Sequence, residues 1–241
     1  GTRGEAKWIS FNLFSGGGFG GGGPGTGATL HEEQMQIEPD GSFEVIISQR
    51  EHEGNWLKSE PDTRSLALRQ TFLDKRHQQH AELHIERIDD LGDAREPLTP
   101  EELYLSLLYA GFYVKGVAEI GAQWATRQSQ WPNVFTDEAE LAETDKFKDP
   151  QIKWHQGYYD LADGEALVVE VMPPECEYWM IALHNHWMET LDYVHHQSTL
   201  NCHSAQLEPD GSVRFVIAKR DPGVPNWLDT AGHDKGTVGV R

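Results

Sequence analysis

The residues best suited to chemistry lie between His184 and Asp234. His184 and His186 flank Asn185 in an apolar run that reads as a strand, and a strand sends residues i and i+2 out of one face. His195, His196 and His203 follow. Two imidazoles on one face plus a third, His203, from a neighbouring strand would offer three nitrogen ligands to zinc or a similar divalent metal, with a position left for water. Glu189 and Asp192, in WMETLDY, stand close enough in sequence to orient an imidazole or to act as a general base. As loop carboxylates of an acidic chain they have an equally simple reading as solvated surface. His233, in the turn after Asn226-Trp227-Leu228, is a further acid or base, with Asp234 beside it.

The chemistry expected of this set is hydrolysis or hydration of a small, partly apolar substrate, with the metal activating the water. Without metal the same imidazoles are an acid and a base near neutral pH. The alternatives are a noncatalytic β-sandwich that binds carbohydrate or lipid, and a structural or assembly protein whose strand edges pair with neighbouring copies. Other nucleophiles lack a frame. No G-x-S-x-G elbow surrounds Ser198 or Ser204, and Cys202 and His203, adjacent on a strand, would point to opposite faces. Cys176 and Cys202 form no C-x-x-C motif and read either as one disulfide or as two buried free thiols. The glycine run Gly16 to Gly27 has no following lysine or amphipathic helix and reads as a strand-connecting loop without a phosphate ligand.

The elements that must carry these residues are announced by a repeat. Residues 38–57 read EPDGSFEVIISQREHEGNWL and residues 208–228 read EPDGSVRFVIAKRDPGVPNWL. The match runs back to Trp8 and Trp179 and forward through SLALR to Arg69 and TVGVR to Arg241. Phe43, Val45 and Ile47, like Val213, Phe215 and Ile217, alternate with the period of a strand buried on one face, and they are expected to face a common interior. Each strand follows a Pro-Asp-Gly turn, giving each unit a hairpin. Asn55-Trp56 and Asn226-Trp227 occur in both copies and read as scaffold, the Trp filling the core and the Asn capping backbone groups. Arg50 and Arg220 suggest paired structural ion pairs. Aligned on Trp8 and Trp179, His184 and His186 fall opposite Leu13 and Ser15, so the shared strand does not require them.

Leu66 with Leu68, Leu83 with Ile85 and Val238 with Val240 alternate as further strands, and Ala166 to Met172 reads as a buried strand. Between the copies, Thr99-Pro100-Glu101-Glu102 is a capping box with Pro at the first helical position. One or two helices should follow from Pro100 to about Arg127, bent near Gly116, with an apolar face resting on the sheets. The expected organisation is a first β unit over 1–95, a helical insertion over 96–146 and a second β unit over 147–241, forming one intertwined domain from a longer chain.

Asp and Glu number 39 against 20 Lys and Arg, a net charge of −19, which opposes binding to nucleic acid or to an anionic membrane surface. No run of about eighteen apolar residues marks a membrane span. The partners expected are a small-molecule ligand and a further copy of the chain. The chain opens on Gly1 and ends on an alternating run, so its ends leave the location open, with the cytoplasm favoured.

The stretch DGEALVVEVMPPECEYWMIALHNHWMETLDY, then STLN at residues 198–201, then EPDGSVRFVIAKRDPGVPNWLDTAGH, resembles the bacterial family known as domain of unknown function 1214. The first copy, with its own Asn55-Trp56-Leu57, is similar to the upstream part of the longer members. The resemblance implies a jelly-roll-like β-sandwich, mainly β, and brings no reaction or catalytic residue with it. The dense histidines stand outside the family pattern.

Overall fold

Local alternation and turn chemistry decide most of the secondary structure. The computed structural model describes residues 1–15, 25–88, 97–136 and 152–241. It is mainly β, with one α-helix between β-rich segments, and divides into two compact units, residues 1–117 and 118–241.

In the first unit, β1 (Trp8–Ser15) lies between β2 (Gly25–His31) and β5 (Thr63–Thr71), antiparallel to both. Its odd-numbered residues Ile9, Phe11 and Leu13 enter a core with Leu30, Phe43, Leu57 and Phe72. Its even-numbered residues carry a polar face, where Asn12 donates to Ser10 Oγ (3.1 Å) and accepts from Thr29 Oγ1 (3.2 Å). Two short strands, β3 (Ile46–Ser48) and β4 (Trp56–Lys58), pair in parallel.

In the second unit the same plan recurs with additions. A five-stranded sheet runs β10 (Thr199–Asn201), β9 (Met180–His184), β13 (Lys235–Val240), β7 (His155–Asp160), β6 (Val134–Thr136). A three-stranded sheet joins β12 (Trp227–Asp229), β11 (Val213–Ala218) and β8 (Ala166–Val171). Tyr159, Ile181, Leu183, Leu200, Phe215, Ile217, Leu228 and Val238 form its core. Each such side chain contributes roughly 1.5–3 kcal/mol on full burial.

The repeated turns do the same work in both copies. Gly41 (φ 82°) and Gly211 (φ 86°) take the left-handed conformation that the Pro-Asp-Gly turn needs, with Asp40 and Asp210 accepting from the Ser42 and Ser212 amides. The parallel pairs β3/β4 and β11/β12 are joined by only a short loop, where a parallel connection ordinarily needs a dozen or more residues. An Asn side chain makes this feasible. Asn55 accepts from the Gln36 amide (2.6 Å) and donates to the Gln36 and Glu44 carbonyls (both 2.8 Å). Asn226 does the same with Gln206 (2.7 Å each way) and Arg214 (3.0 Å). The indoles of Trp56 and Trp227 donate to the Ser48 and Ala218 carbonyls.

Several expectations change. Strand register aligns the copies at a constant offset of 170 residues from β2 and β10 (Leu30, Leu200) through the Pro-Asp-Gly turns (Glu38, Glu208), one residue away from the alignment on the tryptophans. Leu13 therefore matches Leu183, both facing a core, and His184 matches Phe14. A slip of one residue exchanges the faces of a strand. Phe43 and Val45 pack in one core and Val213, Phe215 and Ile217 in another, while Ile47 is 37% exposed. The cause is that β11 has β8 on its second edge and β3 has no described counterpart. Residues 81–88 form no extended strand and leave Ile85 79% exposed. Ala166 to Met172 is buried on one side only, through Leu167 and Val169. Gly25 and Gly27 belong to β2, and residues 16–24 of the glycine run lie outside the described residues. Both cysteines are free, and Cys176 is exposed. Near the second NWL corner it is Lys219, rather than Arg220, that forms ion pairs, with Asp234 and Asp163.

The helix α1 (Pro100–Gln128) is continuous through Gly116. Its capping box forms as read: Glu102 accepts from the Thr99 amide and hydroxyl (2.8 Å each), and Thr99 Oγ1 accepts from the Glu102 amide (3.2 Å). Its large apolar residues from Leu103 to Val117 are exposed. Only Gly121, Ala125 and Gln128 are buried, near its C-terminus.

Candidate functional site

The centre of the five-stranded sheet has one apolar face and one polar face. Ile181, Leu183, Val238 and Tyr159 enter the core, so their neighbours along β9, β13 and β7 must point the other way. Thr237 pairs with His184 on one side and with Tyr158 on the other, which sets these three side chains in one row. The next row is Ala182, Gly239 and Gln156. A Cβ on Gly239 would stand 3.3 Å from His184 Cε1, so the glycine leaves room for the imidazole to lean across β13. From the last turn of α1, Gln128 donates to Gln156 Oε1 at 2.5 Å.

This face contains polar atoms that the described residues leave unsatisfied. His184 Nδ1, Thr237 Oγ1 and Gln128 Oε1 are buried and have no hydrogen-bond partner among the described residues. Each such atom costs about 1–3 kcal/mol if left unpaired. On the equivalent face of the first unit Asn12 hydrogen-bonds with Ser10 and Thr29. Burial pushes the His184 imidazole down to about 4; the Arg241 charge adds to this, and a hydrogen bond with the Thr237 backbone works against it. The ring is neutral at pH 7. Burial, and then the Asp160 charge, raise Tyr158 above the ordinary phenol range. Its hydroxyl lies 3.3 Å from His186 Nδ1. His186 meets the rings of Tyr158 and Trp187 edge to face, and Trp187 is 54% exposed.

The histidine pair is not carried as a strand pair. β9 ends at His184, and Asn185 to Met188 form a turn closed by Met188 N–H donating to the Asn185 carbonyl (3.0 Å). The Asn185 side chain holds that turn, accepting from the Trp187 and Glu189 amides and donating to Glu189 Oε2 at 2.6 Å. His186 therefore leaves the sheet, and Glu189 is engaged by Asn185 rather than by an imidazole. Asp192 accepts from the Val194 and His195 amides and lies 2.8 Å from His195 Nδ1, which holds its carboxyl below the usual range. His203 is exposed in the turn after β10, where its amide donates to Asn201 Oδ1. His233 is exposed, its amide bonded to the Thr230 carbonyl (3.0 Å). Among the described residues no group of three or more His, Cys, Asp or Glu is arranged to hold a metal. The structure thus sets His186 beside Tyr158, with His184 in the same row beyond Thr237, and brings neither His203 nor Glu189 and Asp192 to them as ligands.

One further histidine is paired. His196 Nδ1 lies 2.7 Å from Asp229 Oδ2, which raises the imidazole above its ordinary value. A cavity of about 400 Å³ occurs in the first unit, lined in part by Gln36, Glu38, Glu44, Glu53 and Asn55, and it contains no histidine. Tyr158, Thr237, Gln156 and Gln128 were not singled out from the sequence. The signal for Thr237 was present in the alternation of TVGVR, where Thr237 and Gly239 must oppose Val238 and Val240.

The model of the family described as Protein of unknown function (DUF1214) matches residues 25–71 and 160–241. A crystal structure of an uncharacterised protein from Burkholderia cenocepacia is 38% identical in sequence and superposes with a TM-score of 0.92, covering 100% of this chain and 67% of that chain. A crystal structure from Vibrio parahaemolyticus covers 97% of this chain and 76% of that chain at 10% identity and a TM-score of 0.43. No curated protein matches the sequence.

Proposed function

Because the chain belongs to the family Protein of unknown function (DUF1214), whose description carries no reaction, we propose from its own side chains that the second unit binds a small, uncharged, hydroxyl-bearing ligand. The seat is the polar face of β9, β13 and β7, bordered by His186 and Trp187. The observation that carries this reading is the set of buried atoms His184 Nδ1, Thr237 Oγ1 and Gln128 Oε1 without partners among the described residues; they are closed to solvent, so the ligand enters only when the Gln128 end of α1 moves aside. A hydroxyl both donates and accepts, so one small polyol can satisfy a neutral imidazole, an amide oxygen and a threonine together. The exposed Trp187 beside this face supplies a flat apolar surface for the carbon face of such a ligand. The net charge of −19 disfavours an anionic ligand.

The low proton affinity of His184 weighs against the catalytic alternative. A general base works best with a pKa near the working pH, and an imidazole at about 4 lies well below it. A neutral hydrogen-bonding imidazole suits binding.

D-glucose is the probe. Its addition to the full chain is expected to quench Trp fluorescence and to shift the ring resonances of His184 and His186, with both responses lost in His184→Ala. Unchanged spectra at millimolar glucose in the folded wild type would overturn this reading. Turnover of p-nitrophenyl acetate that requires added zinc and vanishes in His184→Ala would favour instead the hydrolytic site of His184, His186 and His203.

A further inference from the structure

Gly1 and Thr2 lie between two ladders. The Gly1 nitrogen donates to the Phe43 carbonyl and the Phe43 amide to the Gly1 carbonyl (2.9 Å each), while Thr2 exchanges the same two bonds with Glu82 on its other side (2.8 and 3.0 Å). Such an exchange is the closely spaced bond pair of an antiparallel ladder. Beyond it the apolar side chains next along are open. Ile47 is 37% exposed on one side, and Leu83 and Ile85 are 50% and 79% exposed on the other.

Backbone groups are open there too. The Ile46 amide donates to the Asn55 carbonyl (2.8 Å) and the Ser48 carbonyl accepts from the Ser59 amide (3.0 Å), so the even-numbered residues of this stretch bond toward β4. Val45 and Ile47 then turn their N–H and C=O groups the opposite way, as Phe43 does toward Gly1. Among the described residues no strand pairs with β3 on that edge.

The second unit has the matching edge closed. At the offset of 170, Phe43, Val45 and Ile47 correspond to Val213, Phe215 and Ile217, and β8 pairs with these through Val171, Val169 and Leu167. Ile217 is 0% exposed as a result. Gly1 stands against Phe43 as Val171, the last residue of β8, stands against Val213. A residue joined to the Gly1 nitrogen therefore continues along the ladder toward Val45, as Glu170 and Val169 continue toward Phe215.

We propose that the open edge from Phe43 to Ser48 is the acceptor site for one strand, antiparallel to β3 and apolar at alternate positions like β8, and that its occupant is the segment of the full-length protein that leads into Gly1. In strand addition the main-chain hydrogen bonds give affinity, and alternate side chains give specificity. The same strand covers Ile47 and adds a wall to the cavity of about 400 Å³ that Gly1, Phe43, Glu44 and Ile46 help to line. Left open, such an edge is a template for pairing with another chain.

Amide hydrogen exchange on the full-length protein and on the chain that begins at Gly1 tests this. The Val45 and Ile47 amides are expected to exchange at least tenfold more slowly in the full-length protein. Ile47→Ser should lower the urea midpoint of the full-length protein and leave that of the shorter chain almost unchanged. A synthetic peptide with the sequence of Glu165–Val171, EALVVEV, should protect both amides in the shorter chain but not bind the full-length protein, and its Val169→Pro form should protect neither. Equal exchange in the two chains would overturn the proposal, as would a peptide that fails to protect the shorter chain or binds both. Protection in the shorter chain that grows with its own concentration would assign the edge to a second copy instead.

Discussion

His184 places a pH dependence on the second unit. Its imidazole titrates near 4 in the folded chain against an ordinary value of 6.5. Between these values the unfolded chain holds a proton that the folded one does not, so stability is full above about 6.5 and falls as the pH drops toward 4. At 1.36 kcal/mol per pKa unit the loss is about 3 kcal/mol. Urea denaturation at pH 7 and pH 4 should show it, and His184→Gln should reduce the difference between the two. His196 acts in the opposite sense: Asp229 raises it, so its contribution is present below 6.5 and fades as the pH rises through the folded value. The asparagine clamps are the other residue-level test. Asn226→Ala leaves the Gln206 amide and the Gln206 and Arg214 carbonyls without their partner and puts alanine at φ 55°. It should cost about 2–4 kcal/mol in chemical denaturation. Asn55→Ala makes the same deletions without the positive φ and should cost less.

At the scale of elements, the C-terminal end of α1 is fixed by close approach. A Cβ on Gly121 would stand 2.3 Å from the Trp187 carbonyl oxygen. Gly→Ala inside a helix ordinarily stabilises by roughly 1 kcal/mol. Here the atom in the way is backbone and cannot swing aside, so overpacking, about 1–3 kcal/mol, outweighs the propensity gain. Gly121→Ala is expected to lower the melting temperature and to perturb Trp187 fluorescence, whereas Gly111→Ala, with nothing near its Cβ, should raise the melting temperature. The same end brings Gln128 to Gln156, so Gly121→Ala should also weaken the glucose response if the polar face is the binding site.

At the scale of the whole molecule, the acidic excess governs colloidal behaviour. The net charge of −19 at pH 7 disappears near the sequence pI of about 4.9, in the same range where His184 withdraws stability. With self-repulsion lost and the apolar side chains of α1 exposed, turbidity should rise steeply as the pH approaches 5 and should be reduced by Leu107→Glu. A turbidity profile flat from pH 7 to 4.5 would contradict this account.

The sequence by itself determined the duplication, the two Pro-Asp-Gly turns, the roles of Asn55 and Asn226 and the capped start of α1. These depend on contacts a few residues apart or on a motif written twice, so local pattern carries them. It did not determine register. Whether His184 matches Leu13 or Phe14 depends on how β1 pairs with β2 and β9 with β10, and a one-residue slip leaves the local pattern almost unchanged while reversing the face. Nor did spacing reveal that Asn185 would take the Trp187 and Glu189 amides, end β9 at His184 and turn His186 out of the sheet. The polar face of Thr237, Tyr158, Gln156 and Gln128 is assembled from three strands and a helix end, and the exposure of α1 is set by what fails to cover it. Both are properties of packing between distant segments, which only the tertiary structure decides.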